Sequence, residues 1–137
     1  MNIIKKLSLF LGVFALFGLS PLAFADDDGF DNEWTIIVKG KAENAGKVSF
    51  RLVYAPSDDG LAGDEEFIEA SIPVDTSEND ATKIIAAAFK DVLQLDDFNV
   101  DLQDGAKIQV EAKYDTPDFV IEVATNPVQG ISFVIED

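Results

Sequence analysis

Apolar and polar residues alternate in several separate stretches of the chain, and this period of two, together with a short β-rich run at residues 34–38, predicts a protein built largely from β-strands. Three strands are predicted in the first half, at residues 34–38, 48–54 and 67–74. Four more are predicted between residues 98 and 137, where Asp104-Gly105 has the composition of a two-residue hairpin turn. We expect this second group to form a four-stranded antiparallel meander.

Between the third and fourth predicted strands, the pattern changes to the spacing of an α-helix. The apolar stripe consists of Ala81, Ile84, Ile85, Ala88, Phe89 and Val92. Thr82, Lys83, Lys90 and Asp91 fall outside this stripe. The pattern predicts one amphipathic helix of about four turns that ends near Leu95.

Local signals mark the start of this helix and the end of the strand before it. Ser77 and Asp80 have the spacing of an N-terminal cap, with Thr76 and Asn79 as competing capping residues. Pro73 has no backbone N–H, so the third strand should end there or lie at a sheet edge.

Together these elements predict an α+β protein with the order βββαββββ. The expected architecture is a largely antiparallel seven-stranded sheet packed on one amphipathic helix. A sheet of that size would alternatively fold over into a sandwich or half-barrel around the helix.

The first 25 residues have the pattern of a secretory signal peptide. Lys5 and Lys6 precede an apolar run from residue 7 to residue 19, and Ala23 and Ala25 supply small residues before a cleavage site. A membrane anchor is disfavoured because the run is short and three aspartates follow it, where an anchor would have cations.

Cleavage after Ala25 would leave a periplasmic or extracellular protein with no integral membrane segment. Residues 1–25 are then the signal peptide, residues 26–33 an acidic flexible leader and residues 34–137 a single α+β domain.

The composition excludes several classes of function. The chain has 10 basic and 26 acidic residues and a net charge of −16; removing the two lysines of the signal peptide makes it −18. Such a charge repels nucleic acid, and it either attracts cationic partners or serves solubility alone. The chain has no Cys and no His, which excludes Ser-His and Cys-His nucleophiles. A carboxylate pair is the chemistry that remains, and we expect no enzyme and no cofactor.

An acidic loop follows the second strand and is the candidate metal site. A calcium site there would use the oxygen ligands Asp58, Asp59, Asp64, Glu65 and Glu66. The spacing resembles an EF-hand loop only in part, because Gly60 and Ala62 occupy ligand positions. The favoured interpretation is a solvated acidic loop.

The strands nearest the two termini are candidate sites of association. The first strand, residues 34–38, and the last, residues 131–137, are short and apolar. Such strands can pair with a neighbouring subunit by strand addition, or they are already paired within the sheet of their own chain.

The stretch from Asp80 to Val123 combines an Ala-rich helix, a strand, a glycine turn and two further strands of the forms I-x-V-x-A-K and F-x-I-x-V. In this it resembles a helix-plus-β-meander module of phage tail and bacterial surface proteins. The resemblance implies a structural or assembly role and carries over no catalytic residue.

The leading expectation is therefore an exported, non-enzymatic structural or interaction protein that assembles with itself or another protein through its terminal strands. The alternative is an acidic module that binds calcium or a basic partner protein in the periplasm.

Overall fold

The computed structural model describes residues 29–56 and 63–137, which form two antiparallel sheets and one helix. Along the chain the elements are β1 (Glu33–Gly40), β2 (Gly46–Tyr54), β3 (Glu65–Ile72), α1 (Glu78–Val92), β4 (Phe98–Gln103), β5 (Lys107–Ala112), β6 (Phe119–Thr125) and β7 (Ile131–Glu136). The four-stranded sheet has the order β4-β5-β1-β7, and the three-stranded sheet has the order β3-β2-β6. The predicted signal peptide lies outside the described residues.

Seven strands and one helix were expected and are present in the described residues, but the single seven-stranded sheet is wrong. The predicted C-terminal meander is wrong as well, because only β4 and β5 pair with each other. β6 crosses to β2 in the other sheet, and β7 pairs with β1. One helix of 15 residues covers only part of so large an apolar sheet. Two facing sheets bury the remainder against each other.

The core lies between the two sheets and is closed on one side by α1. Phe50 of β2 is fully buried, and its ring centroid lies 5.5 Å from that of Phe89 on the helix and 5.2 Å from that of Phe133 on β7. The rings of Phe98 and Phe119, which belong to different sheets, have their centroids 5.4 Å apart. These ring contacts join both sheets and the helix into one core.

The helix begins where the sequence predicts. The side chain of Ser77 accepts a hydrogen bond from the backbone N–H of Asp80 at 3.2 Å, which confirms Ser77 as the cap. The helix ends at Val92, before the predicted Leu95, and Val92 is 38% exposed. Thr82, outside the predicted apolar stripe, is buried, and its hydroxyl is satisfied there by donating to the Glu78 carbonyl at 2.6 Å.

The β4–β5 hairpin has a three-residue turn, so the predicted two-residue Asp104-Gly105 turn is wrong. Gln103 pairs with Lys107, and positive φ angles occur at Gly105 (88°) and Ala106 (58°). Ala106 is buried, and its carbonyl accepts from the N–H of Val38 at 2.9 Å. The longer turn therefore joins the tip of the hairpin to β1.

β3 ends at Ile72, just before Pro73, and forms an edge of its sheet, as the proline predicted. The predicted leader, residues 26–33, ends in ordered structure: Asp31 exchanges two backbone hydrogen bonds with Phe119, and Glu33 already belongs to β1. No helix in the described part of the chain is both long and apolar enough to cross a membrane.

Candidate functional site

The predicted metal site is brought together only in part. Asp58 and Asp59 lie outside the described residues, whereas Asp64, Glu65 and Glu66 stand at the start of β3. Glu65 is engaged with Arg51 across the sheet, at 3.5 Å between a carboxylate oxygen and Nη1. Within residues 29–56 and 63–137, no three acidic side chains come together as a group that would hold a metal ion.

Burial and the carboxylates near this loop raise the pKa of Tyr54, which the sequence pattern did not mark as a candidate functional residue. Burial raises the pKa of Tyr54 to about 12, with further contributions from the charges of Glu66, Asp97 and Asp64 and a hydrogen bond with Glu66. The ring lies 6.2 Å from that of Phe98. The phenol therefore stays protonated at neutral pH and acts as a hydrogen-bond donor rather than a base.

A cleft of about 240 Å³ opens beside this tyrosine. It is lined by Phe30, Arg51, Val53, Tyr54, Pro56, Gly63, Glu65 and Val120. These residues supply one phenol, which stays protonated, and one carboxylate, which is held by Arg51. A glycosidase-type mechanism needs two facing carboxyl groups, and the lining of this cleft supplies one.

The outer face of the three-stranded sheet carries its own charge balance. Arg51 also forms an ion pair with Glu122 of β6, so it bridges all three strands of the sheet. On the same face, Nζ of Lys47 lies 3.7 Å from Oε1 of Glu69. Exposed ion pairs of this kind contribute about 0–1 kcal/mol each to the free energy of unfolding. Their main effect is therefore on the charge of this face.

The sheet edges decide which terminal strand is available for association. β1 pairs on both sides, with β5 and with β7, so the expectation that the first strand offers an open edge is wrong. A central strand has no unpaired backbone groups to offer a neighbour. β7 pairs with β1 on one side, and no described strand pairs with its other side.

The other three edges are protected to different degrees. Helix α1 lies against both β3 and β4. β3 also carries the charges of Glu65, Glu66 and Glu69, which discourage pairing with another strand. The start of β6 is covered by the hydrogen bonds between Asp31 and Phe119. β7 has a single charged residue, Glu136, at its end.

The turn that leads into β7 holds the strand firmly in place. The Asn126 side chain accepts from the N–H of Val128 at 3.0 Å and donates to the carbonyl of Ile131 at 2.9 Å. Gly130 has a φ of 87°, and a Cβ there would lie 2.1 Å from the Lys41 carbonyl oxygen. Only glycine fits this close approach, so the turn before β7 packs directly against the backbone of the segment after β1.

β7 leaves apolar surface uncovered on both faces of its sheet. Val134 points outward and is 43% exposed. Phe133 and Ile135 point toward the core but are only partly buried, whereas their partners on β1, Val38 and Ile36, are fully buried. An added strand would cover the exposed flank of all three β7 residues, which makes this edge the best candidate functional site.

No family model matches the chain, and no match was found among curated proteins or solved structures. The resemblance of residues 80–123 to the phage tail and surface module thus stays a prediction.

Proposed function

We propose that this chain is an exported, non-enzymatic interaction protein that associates through the open edge of β7. The observation that carries the proposal is the combination of an edge with which no described strand pairs and the side chains of Phe133, Val134 and Ile135, which are exposed to different degrees on both faces. An edge strand presents a row of backbone N–H and C=O groups that an incoming strand satisfies, while side-chain contacts select the partner.

Two sequence features support the export and the lack of catalysis. Residues 1–25 have the charged start, apolar middle and small residues of a signal peptide. The chain lacks His and Cys, and the one carboxylate lining the cleft beside Tyr54 is already paired with a cation.

A second candidate function, an acidic module for calcium or a basic partner protein, is supported by the excess of acidic over basic residues, 26 against 10. Besides burial, the charges of Glu66, Asp97 and Asp64 raise the pKa of Tyr54, but these three residues do not form a group of metal ligands. Calcium binding to the folded state would raise the melting temperature, and that shift would grow with calcium concentration. Binding to a basic protein would weaken as salt is added, because screening reduces the attraction between exposed charges.

Position-specific photo-crosslinking tests the leading proposal. The full chain carrying a photoreactive residue in place of Val134 is expressed in cells that export it and is then irradiated. The matched control places the same residue at Phe67, which is more exposed (58%) but points out from β3 in the other sheet.

We expect protein adducts at position 134 and few at position 67. Equal yields at the two positions would show that exposure alone governs the reaction, and an absence of adducts at position 134 would overturn the proposal.

A further inference from the structure

We propose that the strand received by β7 is the β7 strand of a second copy of this chain, paired antiparallel about a two-fold axis at Val134. This inference rests on the proposed function and adds the identity and register of the partner. Two copies would then share one eight-stranded sheet with the order β4-β5-β1-β7-β7-β1-β5-β4.

The side chains of β7 match themselves in this register. Antiparallel pairing places residues of the same face opposite each other. With Val134 on the axis, each Val134 faces its own copy on the outer surface. On the inner surface Phe133 faces Ile135 of the second copy, and Ile135 faces Phe133. Aromatic and β-branched residues form favourable cross-strand pairs, and these are the residues left partly exposed in one copy.

The neighbouring registers place apolar residues opposite polar ones. An axis at Phe133 would pair Phe133 with itself and Ile135 with Ile131, but it would set Val134 opposite Ser132. An axis at Ile135 would set Val134 opposite Glu136. A shift by a single residue would instead join the outer face of one copy to the inner face of the other. The register centred on Val134 sets Ile131 opposite Asp137 at its ends, but it joins apolar to apolar at its three central positions.

The charges next to this strand are also complementary in the same register. Glu136 comes opposite Ser132 of the second copy, and Ser132 is paired within its own copy to Lys39 of β1. The Lys39 backbone is thus two strand spacings, about 9.6 Å, from that of Glu136, a distance that the extended lysine and glutamate side chains span together. The carboxylate at each end of the paired strands is therefore within side-chain reach of a cation of the other copy.

The symmetry of the contact limits the assembly to two copies. Each β7 edge is consumed by the other, and a self-complementary interface of this kind closes on itself instead of propagating. The net charge of −16 per chain opposes the contact at long range, so added salt should strengthen the dimer. Association with a basic partner would respond to salt in the opposite direction.

Light scattering coupled to size-exclusion chromatography, over a range of protein and sodium chloride concentrations, measures the oligomeric state. The wild-type protein should form dimers whose fraction rises with both concentrations. Val134→Lys should raise the dissociation constant at least about tenfold, since two lysines would face each other across the axis. Phe67→Lys changes the net charge equally and should leave the dissociation constant unchanged; circular dichroism verifies that both variants fold.

Single cysteines test the register, because the chain has no cysteine of its own. Val134→Cys should form a disulfide-linked dimer under mild oxidation. Ser132→Cys lies on the same strand and face, but its copies would be four residues out of register, about 13 Å apart, and should remain unlinked. Efficient linkage at position 132 with none at position 134 would overturn the register.

The outcomes separate this inference from the function on which it rests. A protein that stays monomeric at all protein and salt concentrations overturns the second copy as partner. If photo-crosslinking at position 134 then still captures a different protein, the interaction function survives without self-association. If position 134 gives no adduct at all, both proposals fail.

Discussion

Phe50→Ala should destabilise the protein by about 3–5 kcal/mol, the usual cost of removing a fully buried phenylalanine. Phe50 is 0% exposed and contacts Phe89 of the helix and Phe133 of the second sheet. The alanine variant loses the buried area of the ring, leaves a cavity and removes two aromatic contacts worth about 0.5–1.5 kcal/mol each. Small domains have a total stability of about 5–15 kcal/mol, so the variant should stay folded only marginally.

Urea denaturation followed by circular dichroism measures this loss. With a slope of about 1–3 kcal/mol per molar urea, the midpoint should fall by about 2 M. Phe50→Leu keeps most of the volume and should cost about 1.5 kcal/mol or less. Phe67→Ala removes the same ring from a site that is 58% exposed and should change the stability by about 0.5 kcal/mol.

The comparison between the two phenylalanines decides the outcome. If Phe50→Ala costs no more than Phe67→Ala, then Phe50 is not buried between the two sheets and the helix, and the packing described above is refuted. A double-mutant cycle of Phe50→Leu with Phe133→Leu should also give a coupling of about 0.5–1.5 kcal/mol, because this contact holds β7 against the other sheet.

Three further predictions concern single residues. Ser77→Ala should lower the free energy of unfolding by about 1 kcal/mol through loss of the helix cap, whereas Ser71→Ala on an exposed strand position should leave it unchanged; equal losses would contradict the capping role. Tyr114 has a φ of 46° and is 96% exposed, so Tyr114→Gly should stabilise by up to about 1 kcal/mol while Tyr114→Ala gives no gain. The pKa of Tyr54 is raised from 10.0 to about 12, so folding favours the protonated phenol: its contribution is complete below pH 10 and is lost as the pH rises toward 12. Urea titrations should therefore show a smaller loss of stability over that range for Tyr54→Phe, and an identical loss would refute this linkage.

Much of the local structure follows from the sequence alone. Alternation predicts six of the seven strands, the short β-rich run at residues 34–38 predicts the first, and the helical spacing with Ser77 as cap predicts α1. Pro73 marks the end of β3 because a proline cannot donate a ladder hydrogen bond. These features depend on residues that are close together in the chain.

The candidate site is less predictable for the same reason. The last strand was one of two terminal strands expected to offer an edge, but nothing in its pattern distinguishes it from β1. The raised pKa of Tyr54 has no local signal either, because Asp97 approaches from the turn after the helix and Glu66 from β3.

Alternation states which face of a strand is buried, but it does not say which strand lies beside it. Packing decides which strands pair, because one helix covers too little of the apolar surface of a single seven-stranded sheet. β6 therefore pairs with β2, and the four-stranded sheet packs over the three-stranded one. The same choice places β1 at the centre of its sheet and β7 at the edge. The sequence by itself therefore determined the elements and their buried faces, whereas the tertiary structure alone decided which strand remains open to a partner, since strand pairing joins residues far apart in the chain.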